Sequence, residues 1–324
     1  MSRSEKASQL KFGILLPTRE VILSNRPDPA SIYDLCAQAE TLGFHSLWVG
    51  DSVTAKPRLD ALTTLAAAGA RIRRLRLGTA VFLAALRHPI LVAHSVASLD
   101  WITGGRVDLG IGYSRPNDPA QEHEYQSLGL SAAKRIKMSE ELVRIVRRLW
   151  SENDVSYDGE FTQFQHVTVQ PKPVQSGGVP IWLASNNVEP GLRRVGRMAN
   201  GWLNNVTDPK TYQECLAKIR AYAAEAGRDP GTIEPGLYFT LAAGGEEEIL
   251  KGQEFLSKYY NRPYDATAKA MLCVMGTWEQ VMDSIEAYRE AGAKTFILRF
   301  ATTDQAAYLR DSAEALSRRG YLGS

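Results

Sequence analysis

The stretch LGTAVFLAALRHPILVAHSVASLDWITGGRVDLGIG, residues 77–112, decides the fold. The apolar run Leu75 to Phe82 reads as a buried strand. A helical pattern follows from Ile90 to Ile102, and Gly104-Gly105 stops it. Val107 to Ile111 is a second buried strand. Strand, helix, strand in this order is the unit of a parallel sheet. The unit repeats outward in both directions. Toward the N-terminus lie strand-like runs at Leu10 to Leu16 and Ser46 to Gly50; toward the C-terminus they lie at Val179 to Leu183, Gly201 to Asn204, Gly236 to Ala242 and Thr295 to Phe300. Helical patterns occupy Asp28 to Leu42, Leu59 to Arg73, Ser131 to Trp150, Pro190 to Met198, Lys210 to Gly227, Trp278 to Ala291 and Thr303 to Arg319. Eight strands, each followed by helix, predict an α/β fold of the (β/α)8 TIM-barrel type. A doubly wound open sheet has the same alternation and is the alternative. Two stretches interrupt the repeat. Residues 151–178, with a strand-like alternation from Phe161 to Gln170, read as an insertion, and Gly244 to Thr277 read as irregular and partly helical. No linker rich in Pro, Gly and Ser divides the chain, so residues 1–324 read as a single domain.

Composition narrows the function. Lys and Arg total 38 against 36 Asp and Glu, a net charge of +2. Without a larger basic excess or a basic cluster, a nucleic-acid partner is not expected. The longest apolar run, Ala80 to Leu86, falls far short of the ~20 residues that span a bilayer, so no membrane association is expected. The N-terminal MSRSEKASQL has no apolar signal core. Together with three cysteines that lack metal-like spacing, Cys36, Cys215 and Cys273, this predicts a cytoplasmic protein. The five histidines have no metal spacing either, so no metal is expected. There is no P-loop, no H-E-x-x-H and no G-x-S-x-G, and Gly110-Ile-Gly112 lacks the third glycine of a dinucleotide fingerprint. The residues alone therefore describe an α/β barrel enzyme with an organic cofactor or none. Its site is expected just after the strands, at Asp51-Ser52, Ala80 to His88, Gly112 to Arg115, Ser185 to Asn187, Trp202 to Asn205 and Arg299.

Four further stretches join residues 77–112 in a resemblance: GFHSLWVGDS (43–52), VSYDGEFTQFQHVTVQPKPVQSGGVPIWLAS (155–185), GLRRVGRMANGWL (191–203) and GTWEQVMDSIEAYREAGAKTFIL (276–298). With them the chain resembles the bacterial luciferase-like monooxygenase family. The resemblance implies a luciferase-like barrel with a flavin or deazaflavin at its mouth. It also implies a homodimer built on the helices at Leu59 to Arg73 and Ile90 to Ile102. By its place after Gly78-Thr79, the Ala80-Val81 peptide is implied to be cis and to lie against the flavin ring, near Gly112. The phosphate is implied at Ser185, Asn186 and Asn187, which open a helix, with Lys137 as a further contact and Arg135 nearby. Several family members have an arginine where this chain has Tyr113; Arg115 follows and is expected to reach the phosphate from a shifted position. The luciferases and the deazaflavin-dependent dehydrogenases carry histidine after strand two, where this chain has Asp51-Ser52-Val53. Asp51, His88 and Arg299 are the catalytic candidates, with Trp202 a further candidate on the substrate side. His88 also reads as a helix cap, and Arg299 calls for an anionic group or an acidic partner beside it. The implied activity is monooxygenation of a small organic substrate with dioxygen and reduced FMN, the latter supplied by a separate flavin reductase. Deazaflavin-dependent hydride transfer is the alternative, and a non-catalytic flavin-binding protein is a third reading.

Overall fold

A computed structural model describes residues 10–24, 28–114 and 118–323. Eleven strands alternate with helices among them. The strands are β1 (Lys11–Leu15), β2 (Ser46–Val49), β3 (Arg76–Thr79), β4 (Val107–Ile111), β5 (Val155–Asp158), β6 (Gln163–Val167), β7 (Ile181–Ala184), β8 (Gly201–Leu203), β9 (Glu234–Ala243), β10 (Cys273–Gly276) and β11 (Thr295–Phe300). The α-helices are α1 (Glu20–Leu23), α2 (Pro29–Thr41), α3 (Ala61–Arg71), α4 (Pro89–Thr103), α5 (Pro119–Ser127), α6 (Arg135–Ser151), α7 (Glu189–Met198), α8 (Pro209–Glu225), α9 (Glu246–Tyr260), α10 (Tyr264–Ala268), α11 (Trp278–Glu290) and α12 (Gln305–Arg318). Hydrogen-bonded neighbours follow the order β1-β2-β3-β4-β7-β8-β9-β11 and return to β1. This is the closed parallel sheet of a (β/α)8 barrel, and it excludes the open-sheet alternative.

The chain packs as two compact units. The first comprises Met1–Leu16, Ala30–Trp48 and Trp182–Ser324. In it the ten-residue β9 is the longest strand. β11 pairs along one edge of β9 from Gly236 to Leu241. The other edge takes β8 at Glu234 and Pro235 and β10 from Thr240 to Ala243. Two indoles meet inside this unit, Trp48 and Trp182, edge to face with centroids 5.4 Å apart. Glycines on neighbouring strands make the room: a Cβ at Gly13 would lie 2.7 Å from Trp48 Nε1, and one at Gly201 would lie 2.2 Å from the Trp182 ring. Thr277 starts α11 with a capping box completed by Gln280.

The second unit comprises Pro17–Pro29 and Val49–Ile181. β3 and β4 pair in register at Leu77–Val107 and Gly78–Asp108. The turn between α4 and β4 is fixed by its own sequence. Gly104 and Gly105 take φ of 68° and 81°, a left-handed backbone that glycine adopts freely. Arg106 then donates from its guanidinium to the carbonyls of Thr103, Leu75, Gly69 and Ile72. Buried Asp100 on α4 accepts from the backbone N–H groups of Val174 and Gln175, tying down the segment that leads to β7.

Three stretches carry more structure than the sequence showed. The insertion contains an antiparallel hairpin, β5 with β6, in a sheet of its own. Gly244 to Thr277, expected to be irregular and partly helical, is helical in α9 and the short α10 and also carries a ninth strand of the barrel sheet, β10. The segment after β4 contains α5, opened by Asp118, whose carboxylate accepts from the N–H groups of Ala120 and Gln121.

Candidate active site

In the second unit the Ala80-Val81 peptide is cis. It lies at the end of β3, where Ala80 N–H donates to the Val49 carbonyl and Phe82 N–H to Gly110. Gly112, just past β4, is required beside it, because a Cβ there would lie 2.0 Å from Val81 Cγ2. Asp51 follows β2 and is buried. Its carboxylate takes both arms of the Arg87 guanidinium, at 2.5 and 2.8 Å, and the Leu83 N–H at 2.9 Å. This is a bidentate charge-assisted pair, so the structure places Asp51 as the anchor of the 83–87 segment. His88 is exposed and caps α4, its Nδ1 accepting from the Ile90 N–H at 3.3 Å.

The basic residues of the second unit lie differently from one another. Lys137 points to solvent, 71% exposed, and pairs with Glu160 at 3.7 Å. Arg135, two residues earlier, is half-buried, and its positive charge reaches Tyr125. The Tyr125 hydroxyl lies 3.5 Å from that of Ser114, which has φ of 60°. Burial is the main reason that the Tyr125 phenol sits above its ordinary pKa. Tyr113 is half-buried, and Arg115 lies outside the described residues.

In the first unit, Ser185, Asn186 and Asn187 connect β7 to α7. Ser185 is half-buried and Asn187 exposed. The Ser185 hydroxyl rests on the first turn of α7 because residue 191 is glycine; a Cβ there would lie 2.1 Å from its Oγ. Asn186 is occupied by a side-chain pair with Asn205, donating at 2.7 Å and accepting from the Asn205 N–H at 3.0 Å. Trp202 is fully buried; its Nε1 donates to the Ser185 carbonyl at 2.7 Å, and its ring packs on Tyr212. It therefore positions the connection from the core. α7 opens at Val188 with no side-chain cap. The Arg194 guanidinium approaches to 3.8 Å of the Cβ position of Gly191. Pro190 has no N–H and the Gly191 N–H donates to the Val188 carbonyl at 2.8 Å, so what this end offers an anion is the helix dipole.

Arg299 on β11 is 2% exposed and donates to the Tyr260 hydroxyl at 3.2 Å. Its guanidinium lies 4.1 Å from the Tyr259 ring centroid. The sequence predicts an anion or acid beside Arg299; the structure instead sets aromatic rings of α9 against it, from a segment that the sequence marks as only partly helical. Glu124 was missed as well. It is fully buried on α5, and its Oε1 accepts from the Ser52 hydroxyl and the N–H groups of Val53, Thr54 and Ala55. Its partners lie about 70 residues away, so no local pattern marks it. Among the described residues, no cluster of His, Cys, Asp and Glu could hold a metal ion, and no helix is long and apolar enough to cross a membrane.

Residues 10–295 match the family model of the luciferase-like monooxygenases. The crystal structure of monooxygenase RslO1 from Streptomyces bottropensis has a TM-score of 0.78 at 25% identity, covering 95% of this chain and 99% of that one. An F420-dependent secondary alcohol dehydrogenase shares the fold, with a TM-score of 0.81 at 20% identity over 97% of this chain and all of that one. An uncharacterized protein of Mycobacterium tuberculosis is 34% identical over 171 residues, which are 53% of this chain and 58% of that protein. The chain thus spans little more than half the length of that curated relative.

Proposed function

The chain belongs to the luciferase-like monooxygenase family, and from that premise we propose that it is a flavin-dependent monooxygenase acting with reduced FMN and dioxygen on a small organic substrate. The observation that carries the cofactor is the start of α7. Its first turn has no side-chain cap, a glycine admits the Ser185 hydroxyl, and Arg194 stands close. These residues fit a phosphate monoester. The Ser185 hydroxyl, which donates to the Asn186 carbonyl at 3.0 Å, turns to it beside the dipole of α7, and Asn187 flanks it, while Asn186 stays with Asn205 as a positioning residue. The assignment of Ala80, Val81, Gly112 and Tyr113 to a flavin ring, and of Arg115 to a phosphate, rests on the family resemblance alone. Lys137, paired with Glu160 in solvent, is withdrawn from that role. Bound reduced flavin supplies the electrons for oxygen chemistry.

Asp51 favours FMN over the deazaflavin. Hydride transfer from an alcohol needs a base for the hydroxyl proton. Asp51 stands where the deazaflavin dehydrogenases have histidine, and it is committed to Arg87 and Leu83. His88 is given no proton-transfer role, because it caps α4 with an exposed ring. Reduced FMN comes from a separate reductase in this reading, and the three free cysteines suit a cytoplasmic protein.

A homodimer through α4 is part of the same proposal. Leu91, Trp101 and Ile102 are 65%, 63% and 67% exposed. Their spacing puts them along one helical face, and a second copy of that face would cover them. Sedimentation at micromolar concentration should give a dimer, and Trp101→Glu a monomer.

Anaerobic titration with FMN, reduced FMN and the deazaflavin tests the cofactor. Reduced FMN should bind at least about tenfold more tightly than the deazaflavin, a difference of about 1.4 kcal/mol. Ala80→Phe should abolish flavin binding with an unchanged circular dichroism spectrum. Tighter binding of the deazaflavin, or normal FMN binding by Ala80→Phe, would overturn the assignment.

A further inference from the structure

The first unit carries a second polar cluster, built on the strands around β9. Cys273, Thr240 and Arg299 stand in one register row across β10, β9 and β11. Residues in one row of a parallel sheet project to the same face. Arg299 is 2% exposed, and the Thr240 side chain is fully buried. Aromatic residues of α9 wall the cluster: the Arg299 guanidinium lies 4.1 Å from the Tyr259 centroid, 5.2 Å from Tyr260 and 5.8 Å from Phe255. A second guanidinium, Arg262, lies 5.4 Å from the same Tyr260 ring and donates to the Thr267 hydroxyl. Both positive charges act on Cys273. The Thr240 hydroxyl has no hydrogen-bond partner among the described residues. A buried hydroxyl in that condition is a cost the fold bears unless something else supplies the acceptor. Tyr260, Arg262 and Cys273, in or beside the row, are half-exposed.

We propose that this row receives a carboxylate of the substrate. Arg299 pairs with the carboxylate, Thr240 donates its hydroxyl to it, and Arg262 adds charge from the rim. A planar guanidinium held on a ring matches a planar carboxylate. The walls of Phe255, Tyr259 and Met275 suit an apolar or aromatic body. The substrate class is therefore an apolar monocarboxylate. Calling that ligand the substrate rests on the flavoenzyme reading; the binding site itself does not.

Fluorine NMR of the full chain with para-fluorobenzoate tests the site, with para-fluorobenzamide as its uncharged counterpart and inorganic phosphate as competitor. The benzoate signal should broaden and saturate, the amide should not, and phosphate should not displace the benzoate. Thr240→Val should bind benzoate about tenfold more weakly, the size of one hydrogen bond to a charged group. Its thermal midpoint should be unchanged or higher, because the substitution removes an unsatisfied hydroxyl. Arg299→Lys, which keeps the charge and loses the fork, should also weaken binding. Equal binding of benzoate and benzamide, no benzoate binding, displacement by phosphate, or a Thr240→Val chain that binds like the parent would each overturn the proposal. An FMN titration of the same sample separates the two readings. Flavin binding without benzoate binding removes only the carboxylate site, and benzoate binding without any flavin binding removes only the flavoenzyme.

Discussion

Two acidic side chains organise the loops of the second unit, and they were unequally visible in the sequence. Glu124 gathers one hydroxyl and three backbone N–H groups on a single oxygen, at 2.6 to 3.1 Å, and so fixes residues 52–55. Hydrogen bonds to an ionised acceptor are roughly twice as strong as neutral ones. Glu124→Gln removes the charge while keeping the shape, and it should cost about 2 kcal/mol of stability, read as a lower urea midpoint at unchanged slope. A midpoint within error of the parent would mean that the loop is held by other contacts. Asp51 was legible as a residue at a strand end, because the apolar run SLWVG stops just before it. Its commitment to Arg87, 36 residues on, was not legible. Sequence position shows which end of a strand a side chain occupies; only the fold shows what it meets there. His88 was the easier case, since a residue before Pro89 at the head of an apolar helical run reads as a cap from local sequence alone.

Among elements, the strands that the apolar runs marked are those buried on both faces, such as β4 and β11, in which every residue is buried. β10 has only four residues, three of them partly buried, yet it closes the uninterrupted apolar run Ala270 to Met275, so its signal was present in the sequence. At the start of α9, Glu246, Glu247 and Glu248 follow two glycines, a pattern that a polar loop shares. Placed in the first turn of a helix, those charges are favourable. The Glu248 carboxylate accepts from the Gly245 N–H at 3.0 Å, and Lys258 sits in the last turn. That charge order was present in the sequence and is the signal that could have found the helix. The cost of missing it was the aromatic wall around Arg299. The strands also hold a packing rule that composition cannot show: Trp182 needs glycine on its neighbour. Gly201→Ala places a methyl 2.2 Å from the Trp182 ring, so the indole must shift. Overpacking of this kind costs about 1–3 kcal/mol. Thermal unfolding should show the loss, and the near-ultraviolet tryptophan bands should change with it; unaltered bands would show that the barrel core yields elsewhere.

On the scale of the molecule, buried acids of low acidity accumulate in the first unit, and they set its response to alkali. Burial pushes the Cys36 thiol up to about 12 and the Cys273 thiol to about 11, the latter against the lowering pull of Arg299 and Arg262. Tyr264 and Tyr321 rise to about 12, also mainly by burial, and the Tyr321 hydroxyl donates to Glu286. In the unfolded chain thiols and phenols titrate at their ordinary values, near pH 9 and 10. The sign follows from proton counting. Below pH 9 both states keep these protons, and the contribution to stability is fully present. Between pH 9 and 12 the unfolded chain releases protons that the folded chain retains, so stability falls as pH rises through that window. The urea midpoint should therefore stay level up to about pH 9 and drop steeply by pH 11. All four groups lie in the first unit, so amides there should lose protection from hydrogen exchange before those of residues 49–181. Cys36→Ala should flatten the alkaline slope, because it removes the thiol with the largest rise. A midpoint that holds to pH 11, or a Cys36→Ala chain that falls as steeply as its parent, would show that these buried groups do not govern the alkaline limit.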